Sequence, residues 1–183
     1  MEKHKPNTLL VIDLQNDFCQ TNSVYHKLGY PVKQNQVIAR KIDQFINAIQ
    51  SEFNIFFILS HYDSFFIKGK RINFCQQGTF GAQSYLNQEL ADEIIIKTSH
   101  DGFQQTNLDQ LLQLYQTKKV YLTGISLPVC VESTARSAVN RGYNTTIISD
   151  LVTYRDESLK KVYLQNFSDN IGFVKTVREI YGY

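Results

Sequence analysis

The chain lacks three features that often place a protein at sight: paired cysteines, blocks of like charge, and an apolar run long enough to cross a bilayer. Its three cysteines, Cys19, Cys75 and Cys130, are odd in number, widely separated and form no C-x-x-C pair. A disulfide framework or a cysteine zinc cluster is therefore not expected, and each thiol must be judged by its setting. Cys19 and Cys75 read as residues of polar, loop-like surroundings with no special role. Lys plus Arg (19) nearly balances Asp plus Glu (17), so neither nucleic acid nor an anionic membrane is expected as a partner. The polar start, Met1 to Pro6, leads only into the short apolar run Leu9 to Ile12, too short for a signal h-region or a membrane span. A cytoplasmic protein acting on a small molecule is the expectation. No G-x-G-x-x-G follows the first apolar run and no G-x-x-x-x-G-K-[ST] occurs. A phosphate cradle is missing, and no cofactor is expected.

What is present is an alternation. Leu9 to Asp13, Asn54 to Ser60, Ile94 to Lys97, Val120 to Thr123 and Thr145 to Ser149 read as strands, most of them continuously apolar. Strands without a polar face are buried on both sides, the mark of a parallel sheet covered by helices. Ile38, Ile42, Phe45, Ile46 and Ile49 form one helical stripe. Further helices are expected from Leu108 to Tyr115 and from Cys130 to about Arg141, stopped by Gly142. A last helix, Glu157 to Asn166, and a strand, Gly172 to Val177, complete the pattern. The prediction is one α/β domain over residues 1–183: three layers around a doubly wound, mainly parallel six-stranded sheet. No repeat, low-complexity tract or linker interrupts it. The longest irregular stretches, Cys19 to Lys33 and Tyr62 to Ala82, are of a length that usually shapes a pocket.

Ligands of open parallel sheets bind outside the carboxyl ends of the strands. Asp13, His61, Lys97 and the turn into Cys130 stand there. Cys130 opens the helix that follows the strand–turn segment Leu122-Thr123-Gly124. A thiol in a first helical turn is expected to have a pKa well below the roughly 8.5 of a free cysteine. An acid, a lysine and a cysteine at one sheet edge make a cysteine hydrolase site: Asp13 as proton acceptor, Lys97 holding the carboxylate and favouring the thiolate, Cys130 as nucleophile. Each has a plainer reading, as a helix cap, a strand end meeting water and a small buried hydrophobe respectively.

The surrounding motifs resemble the isochorismatase-like cysteine hydrolases, a family that includes nicotinamidases and ureidoacrylate, carbamoylsarcosine and biuret amidohydrolases. The likeness runs through Leu10-Val11-Ile12-Asp13-Leu14-Gln15-Asn16-Asp17-Phe18, Gly78-Thr79-Phe80-Gly81-Ala82, Lys97 with Phe103, Thr106 and Leu108, and Gly124 with Cys130-Val131-Glu132-Ser133-Thr134-Ala135-Arg136 to Gly142, Tyr143 and Asp150. The resemblance implies the triad Asp13, Lys97, Cys130. It also implies a cis peptide between Ile125 and Ser126, an oxyanion hole from the N–H groups of Ser126 and Cys130, and a homo-oligomer. The chain departs from the family pattern at Leu127-Pro128, where Thr-Asp or Thr-Asn is usual, and at Ser137, where Asp is usual. The first departure removes polar groups beside the nucleophile and so bears on substrate. Glu132 and Arg136, four apart, are expected to pair with each other. Nicotinamidase-like members hold a metal through Asp-x-His and a further histidine. Here the order is His61-Tyr62-Asp63, with no other histidine before His100, which is too few ligands for zinc; no metal is expected, and His61 is read as a pocket-rim residue. Phe18, Tyr62, Phe80 and Phe103 are candidate pocket walls. The expected activity is hydrolysis of a C–N bond in a small amide, carbamoyl or ureido compound through an acyl-enzyme. The alternatives are an isochorismatase-type hydrolase of another small molecule and a silent binding or assembly protein of the same fold.

Overall fold

Six of the apolar runs lie side by side in one wholly parallel sheet: β1 (Asn7–Ile12), β2 (Phe53–Ser60), β5 (Glu93–Lys97), β6 (Lys119–Gly124), β7 (Asn144–Val152) and β8 (Phe173–Lys175), in the order β5-β2-β1-β6-β7-β8. The structure is a computed structural model and describes residues 5–63, 65–67, 69–154 and 156–182; Met1 to His4 of the polar start lie outside them. Successive side chains of a strand point to opposite faces, and both faces here are covered. Leu9 and Val11 of β1 join a core with Ile55, Phe57 and Leu59 of β2, whereas Leu10 and Ile12 join another with Phe56 and Ile58.

The first core is closed by α3 (Val32–Ile49), whose stripe Ile38, Ile42, Phe45, Ile46 and Ile49 is buried, and by α1 (Asn16–Cys19). The second is closed by α4 (Leu108–Leu114), α5 (Glu132–Asn140) and α6 (Glu157–Asn170), through Leu112, Ala135 and Phe167 among others. Three layers result. Helix α7 (Val177–Tyr181) packs back on the first face. It begins where the predicted last strand was to end, because Thr176 and Glu179 form a capping box that stops β8 at Lys175. β7 likewise runs three residues past the predicted Ser149, since Val152 pairs with Gly124 after a register shift.

The two irregular stretches contain more structure than their sequence suggests. Helix α2 (Val24–Lys27) interrupts the first, and an antiparallel hairpin, β3 (Phe65–Ile67) with β4 (Lys70–Ile72), interrupts the second. Cys19 and Cys75, expected in polar surroundings, are both fully buried in the first core. Cys19 is carried inward by α1, and Cys75 by a turn whose N–H donates to the Asp17 carboxylate at 2.7 Å. Burial pushes the Cys19 thiol up to about 12.

Read in chain order, the parallel strands run 3-2-1-4-5-6, so the direction of winding reverses between β1 and β6. A crevice opens at that point, outside the strands' carboxyl ends. Asp13 follows β1 and Gly124 ends β6. The two strands approach so closely that a Cβ on Gly124, whose φ is +116°, would sit 2.0 Å from the Ile12 carbonyl oxygen; only glycine fits.

Candidate active site

Three strand ends supply the floor. Asp13 stands just past β1 with φ +55°, a left-handed conformation that aspartate tolerates better than most residues. Its N–H is tied to the Ile58 carbonyl and its own carbonyl to the Gln15 N–H, both at 2.9 Å. Ser60 ends β2 and Lys97 ends β5, directly paired in register. All three side chains are 0 % exposed.

Lys97 Nζ lies 3.0 Å from Asp13 Oδ2, 2.6 Å from Ser60 Oγ and 3.1 Å from the Ser99 carbonyl oxygen. An ammonium has three protons to give, and these contacts use all of them. Ser60 Oγ in turn reaches Asp13 Oδ1 at 2.8 Å and the Tyr62 hydroxyl at 3.1 Å. The network is therefore closed, as a buried charge pair requires. Burial works against the Lys97 ammonium, but Asp13 and the neighbouring Cys130 and Tyr62 outweigh it and hold its pKa above the usual lysine value. Ser60 was not among the residues expected here, although its position at the end of β2 is the signal that could have flagged it.

Cys130 lies beyond β6 in a single π-helical turn, Leu127–Val131, that precedes α5. Pro128 sits in its opening positions, where no helical N–H partner is lost. The peptide bond between Ile125 and Ser126 is cis. Among the described residues, the Ser126 N–H donates to no protein acceptor. The Cys130 side chain is nearly buried at 5 % exposure, with the charges of Asp13 and Lys97 both acting on it. The expected low thiol pKa is not what this setting produces. Burial first, then the Asp13 carboxylate, push the thiol above its ordinary value, and Lys97 opposes them without prevailing.

A cavity of about 560 Å³ opens over Cys130 and Ser126. Phe18 and Tyr62 line it, together with Tyr25, Tyr30 and Phe74. Both irregular stretches contribute walls. The other three candidates do not line it. His61 faces a separate hollow with Leu59, Thr79 and Ile96, since its neighbour Tyr62 takes the inward direction at the strand end. Phe80 is 64 % exposed, in a turn held from outside by Asn16, whose amide donates to the Phe80 carbonyl at 2.9 Å. Phe103 is buried in the second core, with the Arg141 guanidinium 4.6 Å from its ring centre. One unexpected residue enters instead: His100, three places beyond Lys97, has Nδ1 3.7 Å from Cys130 Sγ. Glu132 and Arg136 pair, with Arg136 Nε donating to Glu132 Oε1 at 2.6 Å.

A zinc centre does not fit these residues. His61 and Tyr62 face different hollows, Asp63 is exposed, and among the described residues no group of three His, Cys, Asp or Glu converges. Nor, among those residues, is any helix long and apolar enough to cross a membrane.

Known proteins share this architecture. The pyrazinamidase of Pyrococcus horikoshii, solved in complex with zinc, superposes with a TM-score of 0.81 at 23% identity, covering 93% of this chain and 99% of that one. At that identity the likeness speaks for the fold alone. Among curated proteins, ureidoacrylate amidohydrolase RutB of Stutzerimonas stutzeri is 23% identical over 201 residues, covering 96% of this chain and 81% of the relative. A probable inactive nicotinamidase of Arabidopsis thaliana is 28% identical over 195 residues, covering 96% and 93%. The isochorismatase domain matches residues 7–179, nearly the whole length, and the chain belongs to that family.

Proposed function

We propose that the protein is a metal-independent cysteine amidohydrolase that cleaves a C–N bond of a small amide, carbamoyl or ureido compound. The observation that carries this reading is the fully buried Asp13–Lys97 pair beside a cysteine that opens onto a cavity. A buried ion pair is costly to maintain, and a site with a task is the reason to keep one here. Cys130 is neutral at rest and gives its proton to Asp13 as sulfur attacks the carbonyl carbon. The N–H groups of Ser126 and Cys130 receive the oxyanion. Asp13 returns the proton to the leaving nitrogen as the C–N bond breaks, leaving a thioester. Water then adds, its proton passing to Asp13 and on to sulfur, which releases the acid and restores the thiol. Lys97 fixes the carboxylate throughout. We read the protein further as a cytoplasmic homo-oligomer, and three free cysteines suit a reducing compartment.

The test is a screen of simple amides for ammonia release, with Cys130→Ala as its control. Turnover on any substrate found is expected to vanish in the variant, with the melting temperature preserved. Full activity of Cys130→Ala would reject the mechanism. A second reading, a silent binding protein of the same fold, is favoured by the inactive assignment of the Arabidopsis relative. It predicts ligand binding without turnover.

A further inference from the structure

The cavity over Cys130 is built for a body without charge. Phe18, Tyr25, Tyr30, Tyr62 and Phe74 form one wall, in which the Tyr25 and Tyr30 rings stack at 4.3 Å and those of Phe18 and Phe74 meet edge-on at 4.8 Å. Leu28, Pro128 and Val129 face the same space. Among the described residues lining it there is no lysine or arginine, and His100 is the one basic side chain. At the floor, the charge of Lys97 is already matched by the Asp13 carboxylate 3.0 Å away, and its protons point to Asp13, Ser60 and Ser99.

A carboxylate drawn into this space would shed water and find, among the described lining residues, no lysine or arginine to pair with, only His100 and neutral donors. An aromatic or branched alkyl group would meet ring faces along its whole length. The volume, about 560 Å³, lies in the range of cavities that enclose drug-sized ligands. Room therefore remains once the scissile amide is seated over Cys130.

Resting on the nucleophile assignment above, we infer that the substrate is a neutral amide carrying an extended apolar body, aromatic or branched alkyl, and not an anionic ureido or carbamoyl acid. Pro128 fits the same picture, since it lines the cavity beside the cysteine.

Three chloroacetamides test this without knowledge of the substrate: the parent compound, its N-benzyl derivative and its N-carboxymethyl derivative. In each, the Cys130 thiol gives up its proton to solvent and the sulfur forms a C–S bond as chloride leaves. The rate at Cys130, resolved by peptide mass spectrometry and divided by the rate on free cysteine, is the readout. The N-benzyl compound is expected to exceed the N-carboxymethyl compound by about tenfold or more. Leu28→Arg, at the exposed rim, is expected to shrink that ratio by supplying the missing cation. Equal rates, or a faster anionic probe, would overturn the inference while leaving the nucleophile in place, and so would an unchanged ratio in Leu28→Arg. Failure of all three probes to modify Cys130 while free cysteine reacts would reject the nucleophile itself, and the inference with it.

Discussion

The floor and the mouth of the site are made in opposite ways. The floor is polar, fully buried and held by the ends of three neighbouring strands: Asp13, Ser60 and Lys97 bond to one another and to the chain. The mouth is aromatic and assembled from the two irregular stretches, with half-buried Tyr25 and Tyr30 from the first and half-buried Tyr62 and buried Phe74 from the second. Strand ends in a sheet move little relative to one another, so they suit groups that must meet within a hydrogen bond's length. Loops vary without disturbing the core, so they suit the choice of ligand. The contrast predicts that damage to the floor costs stability and chemistry together, whereas damage to the half-buried rings of the mouth costs recognition more than stability.

The largest effect is expected from Lys97→Ala. It leaves the Asp13 carboxylate buried beside Ser60 without its cation, a change that typically costs about 3–5 kcal/mol, read as a lower urea midpoint. Because the Lys97 pKa is raised on folding, the pair's contribution is fully present below the ordinary lysine value of about 10.4 and fades only as pH rises through the higher folded value. The gap between the two proteins should therefore be constant from about pH 7 to 9. In the double variant Asp13→Asn with Lys97→Met neither charge is left buried alone, and part of the stability should return. If the double variant is no better than the single, the floor is not an electrostatic unit.

Asp13→Asn should split two properties that a simple activation model joins. Loss of the proton acceptor is expected to lower turnover by about 10²- to 10⁴-fold. Loss of its negative charge also removes one of the causes that hold the Cys130 thiol up, leaving Lys97 to favour the thiolate. Labelling of Cys130 by iodoacetamide should then become faster as turnover disappears. Slower labelling would mean that Asp13 lowers the thiol pKa, contrary to the charges around it. Next in size, Ser60→Ala removes the hydroxyl that bridges Lys97 and Asp13, with an expected loss of about 1–3 kcal/mol in the same urea measurement.

Legibility in the sequence follows the same division. Runs such as Ile55 to Leu59 are apolar at every position because both faces of the sheet are covered, so strand count, parallel pairing and layering could be read directly. Asp13 and Lys97 could be singled out because strand ends are where such sheets bind ligands. What escaped depends on contacts between segments distant in the chain. Phe80 and Phe103 looked like Phe18, yet one is turned outward by a turn pinned to Asn16 and the other is drawn into the second core. Alternation at a strand end decides which of His61 and Tyr62 faces inward, and the reading left that parity open. The thiol's electrostatics depend on the same kind of contact: that Cys130 is nearly buried and faces the Asp13 carboxylate follows from how distant segments pack. The capping box Thr176–Glu179 is by contrast a local signal, T-x-x-E at a helix start.

The smallest effects should come from the mouth, and they test whether recognition is separate from chemistry. Tyr30→Ala removes a stacked, partly exposed ring. Its stability should fall by about 0.5–1.5 kcal/mol, well below the Lys97→Ala loss, while KM for an apolar amide rises and kcat holds. His100→Asn sits at the boundary between the two regions, because the ring lines the cavity and its Nδ1 touches the sulfur at 3.7 Å. A single hydrogen bond of this kind contributes about 0.5–1.5 kcal/mol, so labelling of Cys130 should slow by about two- to tenfold. Either tautomer gives that sign: a donating nitrogen stabilises the thiolate, and an accepting one takes up its proton. The melting temperature should not move, since His100 is exposed. A melting temperature that falls with the labelling rate would place His100 with the floor. Unchanged labelling would place it with the walls, where it serves the ligand alone.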